Sequence, residues 1–150
     1  MKLSDVVACV RGDVSVRQPV TAGPTEPLSS VARRMRDENV GTVVIVESQK
    51  PVGIITDRDL ALALGAQGIA PQAPVKNVMS CPVRTIPEGA GIFAATQCMR
   101  DLGVRRLALV DNEGRLVGIV SLDDLLRLLG RELHNLAEGI RREGEVKSGN

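Results

Sequence analysis

Two stretches of the chain carry the same order of apolar and polar positions. In the first, Leu28, Val31, Ala32 and Met35 recur at helical spacing. Val43-Val44-Ile45-Val46 follows as a short β-branched run, which reads as a buried strand. A polar turn, Glu47 to Lys50, leads into a second apolar run, Val52 to Ile55. In the second stretch Leu107 to Val110 and Leu116 to Val120 flank the turn Asp111-Asn112-Glu113-Gly114, whose residues favour a tight hairpin. Thr56 and Ser121 then open helices, one carrying Leu60, Leu62 and Leu64, the other Leu125, Leu126, Leu128 and Leu129. Each stretch reads as helix, strand, turn, strand, helix.

The likeness extends to residue identities. An offset of 64 residues lays Thr21 over Thr85, Leu28 over Ile92, Val40 over Val104, and Met35-Arg36-Asp37 over Met99-Arg100-Asp101. With one extra residue in the second turn, Val52-Gly53-Ile54-Ile55-Thr56 lies over Val117-Gly118-Ile119-Val120-Ser121, and Asp59-Leu60 over Asp124-Leu125. Such order is the signature of an internal repeat. Between the copies, Gly65 to Pro74 holds two glycines and two prolines and reads as a linker. The expected division is a first repeat with its amino-terminal segment over 1–66, a linker over 67–74, a second repeat over 75–130, and a helical extension and tail over 131–150. Halves of roughly 65 residues are marginal alone. They should therefore pack as a pseudo-symmetric pair, sheet against sheet with helices outside, in an α/β (α+β) fold.

The repeat resembles a pair of CBS domains, the tandem known as a Bateman module. The likeness runs from about Pro19 to Gly130. It is carried by Pro19-Val20-Thr21, Gly53-Ile54-Ile55-Thr56-Asp57-Arg58-Asp59-Leu60, Val75-Lys76-Asn77-Val78-Met79-Ser80, Gly103-Val104-Arg105-Arg106-Leu107 and Gly118-Ile119-Val120-Ser121-Leu122-Asp123-Asp124-Leu125. The resemblance implies a β-α-β-β-α unit per copy and a dimer of pairs shaped as a flat disk. It also implies an adenine nucleotide or other adenosyl ligand in clefts between the copies: AMP, ADP, ATP, S-adenosylmethionine or a nicotinamide dinucleotide. By the same likeness Asp59 and Asp124 hold ribose, and Thr56 and Ser121 touch phosphate. Thr21, Thr42, Val43, Thr85 and Ala108 line the adenine pocket. Where many nucleotide-binding copies carry a middle-strand proline, this chain has Val44 and Ala108, so adenine would pack on aliphatic side chains.

The repeated G-h-h-[TS]-x-x-D segment has its own chemistry. It falls where a strand ends and a helix begins, and the first N–H groups of a helix lack internal partners and carry partial positive charge. Such an end can hold phosphate. A hydroxyl there can bond a phosphate oxygen, and the aspartate one turn on can accept from a ribose diol. Gly53 and Gly118 would let a ligand or partner backbone approach. The same residues also fit a capping box. The two readings are compatible. Arg58, Arg105 and Arg106 are candidate counter-charges for phosphate, or solvated surface charges. Arg33, Arg34 and Arg36 read as a wet helix face.

Composition narrows the classes. Nineteen Lys+Arg against 18 Asp+Glu leave a formal charge of +1, unlike a strongly basic nucleic-acid binder. No Trp or Tyr and a single Phe leave almost no rings for stacking bases. One histidine, His134, and three scattered cysteines, Cys9, Cys81 and Cys98, supply neither a metal centre nor a disulfide framework, which fits a reducing cytoplasm. No apolar run is long enough for a signal peptide or a membrane span. No base–nucleophile constellation suggests an enzyme, and Cys98 reads as core packing.

Beyond the second copy a helix is expected from about Leu122 to Arg142. Leu126, Leu129, Leu133, Leu136 and Ile140 form a 3-4-3-4 seam along it. That seam either packs across a homodimer or covers its own module, and 143–150 reads as a frayed tail. The expected function is a regulatory module that binds an adenosyl ligand and signals to a separate regulated protein. The alternative is a ligand-free homo-oligomerisation adaptor.

Overall fold

The computed structural model describes Lys2 and residues 19–147, with side chains as far as Glu143; Cys9, the rest of the amino-terminal segment and the last three residues lie outside the described residues. In the first repeat β1 (Thr21–Ala22) runs parallel to β2 (Thr42–Glu47), with α1 (Leu28–Asp37) between them in sequence. β2 pairs antiparallel with β3 (Lys50–Thr56), which leads into α2 (Asp57–Ala61). The second repeat has the same order: β4 (Thr85–Pro87), α3 (Ile92–Leu102), β5 (Arg106–Val110), β6 (Leu116–Ser121) and α4 (Leu122–Lys147). The result is two three-stranded sheets, β1-β2-β3 and β4-β5-β6. The mixed α/β pair expected from the repeat is the observed architecture.

Each sheet packs helices on one face. Leu28, Val31 and Met35 of α1 meet Val43, Ile45 and Ile55 of the sheet and Leu60 of α2. In the second repeat Ala95 and Met99 of α3, and Leu125 and Leu128 of α4, meet Leu107, Leu109 and Val120. Burying each large aliphatic side chain contributes about 1.5–3 kcal/mol before chain entropy is counted. Side chains alternate across a strand, so Val44 and Ala108 point away from these helices. Both are nonetheless buried, at 1% and 0% exposure. The second face of each sheet is thus covered by the other repeat. A backbone bond crosses between them, Leu116 N–H donating to the Gln49 carbonyl at 2.9 Å.

The linker has a structural task. Pro27 precedes α1 without a side-chain cap. The Ala73 and Pro71 carbonyls accept from the Leu28 and Ser29 N–H groups at 3.0 and 2.9 Å, serving donors that a helix start leaves unpaired. Ser80 then pairs both ways with Ile54, adding a bridge to the edge of β3.

Three local expectations are corrected. The helix expected to carry Leu60, Leu62 and Leu64 is α-helical only to Ala61 and then widens into a π-helical turn, Leu62–Ala66, with Ala63 buried and Leu62 exposed. Arg34 is not on a wet face. Its guanidinium bonds the Thr21 carbonyl and pairs with Glu26 at 2.8 Å, tying α1 to β1. The helix of the extension is longer than expected, running to Lys147 rather than to Arg142. In the second hairpin the Arg115 side chain bonds the Asp111 carboxylate at 2.8 Å and holds its pKa below the ordinary carboxylate value.

Helices α1 and α3 end at repeat-equivalent residues, Asn39 with φ 52° and Gly103 with φ 65°. A left-handed residue there satisfies the last carbonyls of a helix, and glycine or asparagine adopts it most readily. Replacing Gly103 with alanine should lower stability by about 1–2 kcal/mol, read as an earlier urea midpoint with an unchanged slope.

Candidate functional site

The two [TS]-x-x-D segments are working capping boxes. The Asp59 N–H donates to the Thr56 hydroxyl at 3.2 Å, and Asp59 Oδ2 accepts from the Thr56 N–H and the Thr56 hydroxyl, both at 2.8 Å. The second copy repeats this, with the Ser121 hydroxyl 2.6 Å and the Ser121 N–H 3.1 Å from Asp124 Oδ2. The Asp124 N–H donates back to the Ser121 hydroxyl at 3.1 Å. Strand geometry at Thr56 and Ser121 gives way to helix one residue later, so hydroxyl and carboxylate stand together at the sheet edge. One oxygen, Oδ2, does the capping in both copies. Oδ1 of each carboxylate makes no hydrogen bond among the described residues and remains able to accept.

Both carboxylates line cavities, and each cavity is walled by both repeats. The larger, about 690 Å³, brings Ser121, Asp124, Ile119 and Arg127 of the second repeat against Pro19, Val20 and the Glu38–Thr42 segment of the first. The smaller, about 330 Å³, brings Thr56, Asp59 and Ile54 of the first repeat against Val83, Arg84 and the Val104–Arg106 segment of the second. Under the offset of the repeat these walls are equivalent. Ile119, Ser121 and Asp124 match Ile54, Thr56 and Asp59, while Pro19, Val20 and Val40–Thr42 match Val83, Arg84 and Val104–Arg106. Two pseudo-symmetric hollows therefore result, each set by one repeat's capping box and the other repeat's strand entry.

The structure brings together Asp59, Thr56, Arg105 and Arg106 in one hollow, and Asp124, Ser121, Thr42 and Arg106 in the other. Arg105 also pairs with Asp123 at 3.3 Å on the exposed surface. Other expected residues stand elsewhere. Val43 is fully buried under α1 because strand alternation turns it to the helix side. Ala108 is fully buried between the sheets and reaches neither hollow. Thr21 and Thr85 open β1 and β4 against Val44 and Ala108 without lining either cavity. Arg58 is exposed on the outer side of α2 and also lines neither. Gly53 is not a ligand approach: a Cβ there would lie 2.4 Å from Met79 Sδ, so the lead-in to the second repeat uses that space. Gly118 has only ordinary contact with Leu109.

The polar lining residues not anticipated are Arg84, Arg127, Glu38, Asn39 and Ser80. The signal was present for two of them. Arg84 lies at the position equivalent to Val20, just before the first strand. Arg127 lies one helical turn beyond Asp124, on the same face.

Paired repeats with mirrored hollows define a tandem two-repeat module. The CBS domain family model matches residues 10–66 and 75–131, and the chain belongs to the CBS-domain family. MK0525 of Methanopyrus kandleri is 41% identical over 119 residues, covering 78% of this chain and 61% of that protein, so the chain spans less than two thirds of this relative's length. The CBS domain-containing protein YhcV of Bacillus subtilis is 38% identical over 113 residues, covering 75% of this chain and 80% of YhcV. Among solved structures, the CBS domain pair of MJ0100 in complex with 5′-methylthioadenosine and S-adenosyl-L-methionine superposes with a TM-score of 0.72 at 28% identity, over 88% of this chain and 98% of that one. The cytosolic domain of the Mg2+ channel MgtE in complex with ATP superposes with a TM-score of 0.63 at 26% identity, over 74% of this chain and 45% of that one.

Because the capping boxes are made by the chain's own atoms, they should hold their helices in ligand-free protein. Ser121→Ala and Thr56→Ala should each cost about 1 kcal/mol, measured by denaturation of ligand-free protein.

Proposed function

We propose that the chain is a regulatory module that binds adenosine-containing ligands between its repeats, and that it is not an enzyme. One observation carries this reading: each hollow joins a hydroxyl–carboxylate pair from one repeat to arginine-bearing walls. A carboxylate with one uncommitted oxygen is suited to a ribose diol, and a guanidinium to phosphate. The complexes of MJ0100 with methylthioadenosine and S-adenosylmethionine, and of MgtE with ATP, support the ligand class. In this reading 1–66 and 75–130 are the two halves, 67–74 is the linker and 131–150 the extension. A ligand touching both halves would bias their relative angle, and a separate protein would read the change. The bias can be no larger than the ligand's differential affinity for the two arrangements. Cys81 and Cys98 are free thiols, in keeping with a reducing, cytoplasmic setting. No described helix is long and apolar enough to cross a membrane.

The homodimer belongs to the same reading. Leu125 and Leu128 of α4 are buried under their own sheet, whereas Leu126, Leu129, Leu133, Leu136 and Ile140 are 42–74% exposed. That exposure favours a seam that packs across a homodimer over one that covers its own module. Its 3-4-3-4 spacing is self-complementary, and a second copy is the fitting occupant. Gly130 and Gly139 flank it, and a Cβ at either would meet nothing within the chain. Each weakens the helix by about 1 kcal/mol relative to alanine, a cost that makes sense where another helix comes close. Leu133→Glu with Leu136→Glu should convert a dimer to a monomer in sedimentation equilibrium. A monomeric parent protein, or a double variant that stays dimeric, would remove the seam from the interface.

The ligand reading is tested by a thermal-shift panel of AMP, ADP, ATP, S-adenosylmethionine and NAD on protein purified free of small molecules. A true ligand at 100 times its dissociation constant adds about 2.7 kcal/mol. Asp59→Ala and Asp124→Ala should each weaken binding roughly tenfold or more at their own hollow. If none of the five ligands shifts the melt, the adaptor reading takes over.

A further inference from the structure

The two hollows are built to the same plan but not with the same charges, and one residue belongs to both. Arg106 opens β5 opposite Ser121. It lines the smaller cavity beside Thr56 and Asp59, and also the larger one beside Ser121 and Asp124. Its counterpart in the first repeat is Thr42, which opens β2 opposite Thr56. Thr42 lines only the larger cavity. The difference is one of reach: a threonine ends at its strand, while an arginine extends past it. Arg106 is half-buried and makes no ion pair among the described residues, so its charge is uncommitted.

The walls differ in balance. The smaller cavity sets Arg84, Arg105 and Arg106 against Asp59. The larger sets Arg106 and Arg127 against Glu38 and Asp124. If Arg106 is taken by an anion in the smaller hollow, the larger one keeps Arg127 facing two carboxylates. It then carries net negative charge.

Resting on the adenosyl-ligand reading, we infer that Arg106 is one counter-charge shared by two sites and couples them negatively for anionic ligands. A nucleoside phosphate fills the smaller hollow first and draws the guanidinium toward itself. The larger hollow then discriminates against a second phosphate and accepts an adenosyl group without net negative charge. A guanidinium can present its planar fork to one phosphate at a time, which is why sharing becomes competition.

The test compares AMP with adenosine, which offers the same base and ribose without phosphate, by calorimetric titration at low ionic strength. Adenosine measures how different the hollows are apart from charge. For the parent protein, the second AMP should bind more weakly relative to the first than adenosine's own two steps, by roughly fivefold or more. AMP stopping at one per chain while adenosine reaches two is the extreme form of the same result. Arg106→Thr, which copies the first repeat, and Arg106→Gln, which keeps a long polar side chain, should both erase the excess. If AMP and adenosine show the same ratio of steps, if both stop at one per chain, or if the excess survives in both variants, the coupling is wrong while the ligand reading stands. If neither compound binds the parent protein, the coupling is likewise wrong, and the ligand reading is decided by the five-ligand thermal-shift panel.

Discussion

The structure depends on burying the second face of two small sheets. Each three-stranded sheet has helices on one side only, and on the other side stand apolar residues such as Val44 and Ala108 that a single repeat cannot shield. Pairing the repeats removes that surface from water, and the gain scales with the apolar area covered. The same contact creates the hollows. Where the strands enter and leave the shared layer, the flat faces give way to edges, and each edge meets the helix start of the opposite repeat.

At those edges the helix caps and the walls of the hollows share residues. Thr56 with Asp59, and Ser121 with Asp124, close the first turns of α2 and α4 through a single carboxylate oxygen. The second oxygen makes no hydrogen bond among the described residues. Cap and cavity wall are thus one device. The carboxylate's position is held by the backbone it serves.

Pseudo-symmetry governs the layout, and its breaches carry the individuality of the chain. Gly41 and Thr42 stand where the second repeat has Arg105 and Arg106, and Val20 where it has Arg84. These exchanges leave the sheets unchanged, because the residues lie at strand entries rather than in the core. They make the smaller hollow the more basic of the two. The extension adds a second asymmetry, since only the second repeat continues into a long helix with an unshielded leucine seam.

Much of this was legible in the chain. The repeated run of strand, turn and strand, the hairpin turns, the capping boxes and the unequal ends of the repeats all follow from local rules: side-chain periodicity, turn chemistry and unpaired donors at helix starts. The pairing of Asp59 with Thr56, and of Asp124 with Ser121, spans only three residues and needed no tertiary information. Other features came from the meeting of distant segments. Which side of β2 faces the helices removed Val43 from the site, and the depth of the shared layer removed Ala108. The widening of the helix after Ala61 was set in the same way. The reach of one arginine across two hollows could not be read from spacing, because it depends on where the opposite repeat sits. Local order along the chain determined what each half would be; only the packing of one half on the other decided which side chains share a space, since that distance is set by contacts far apart in sequence.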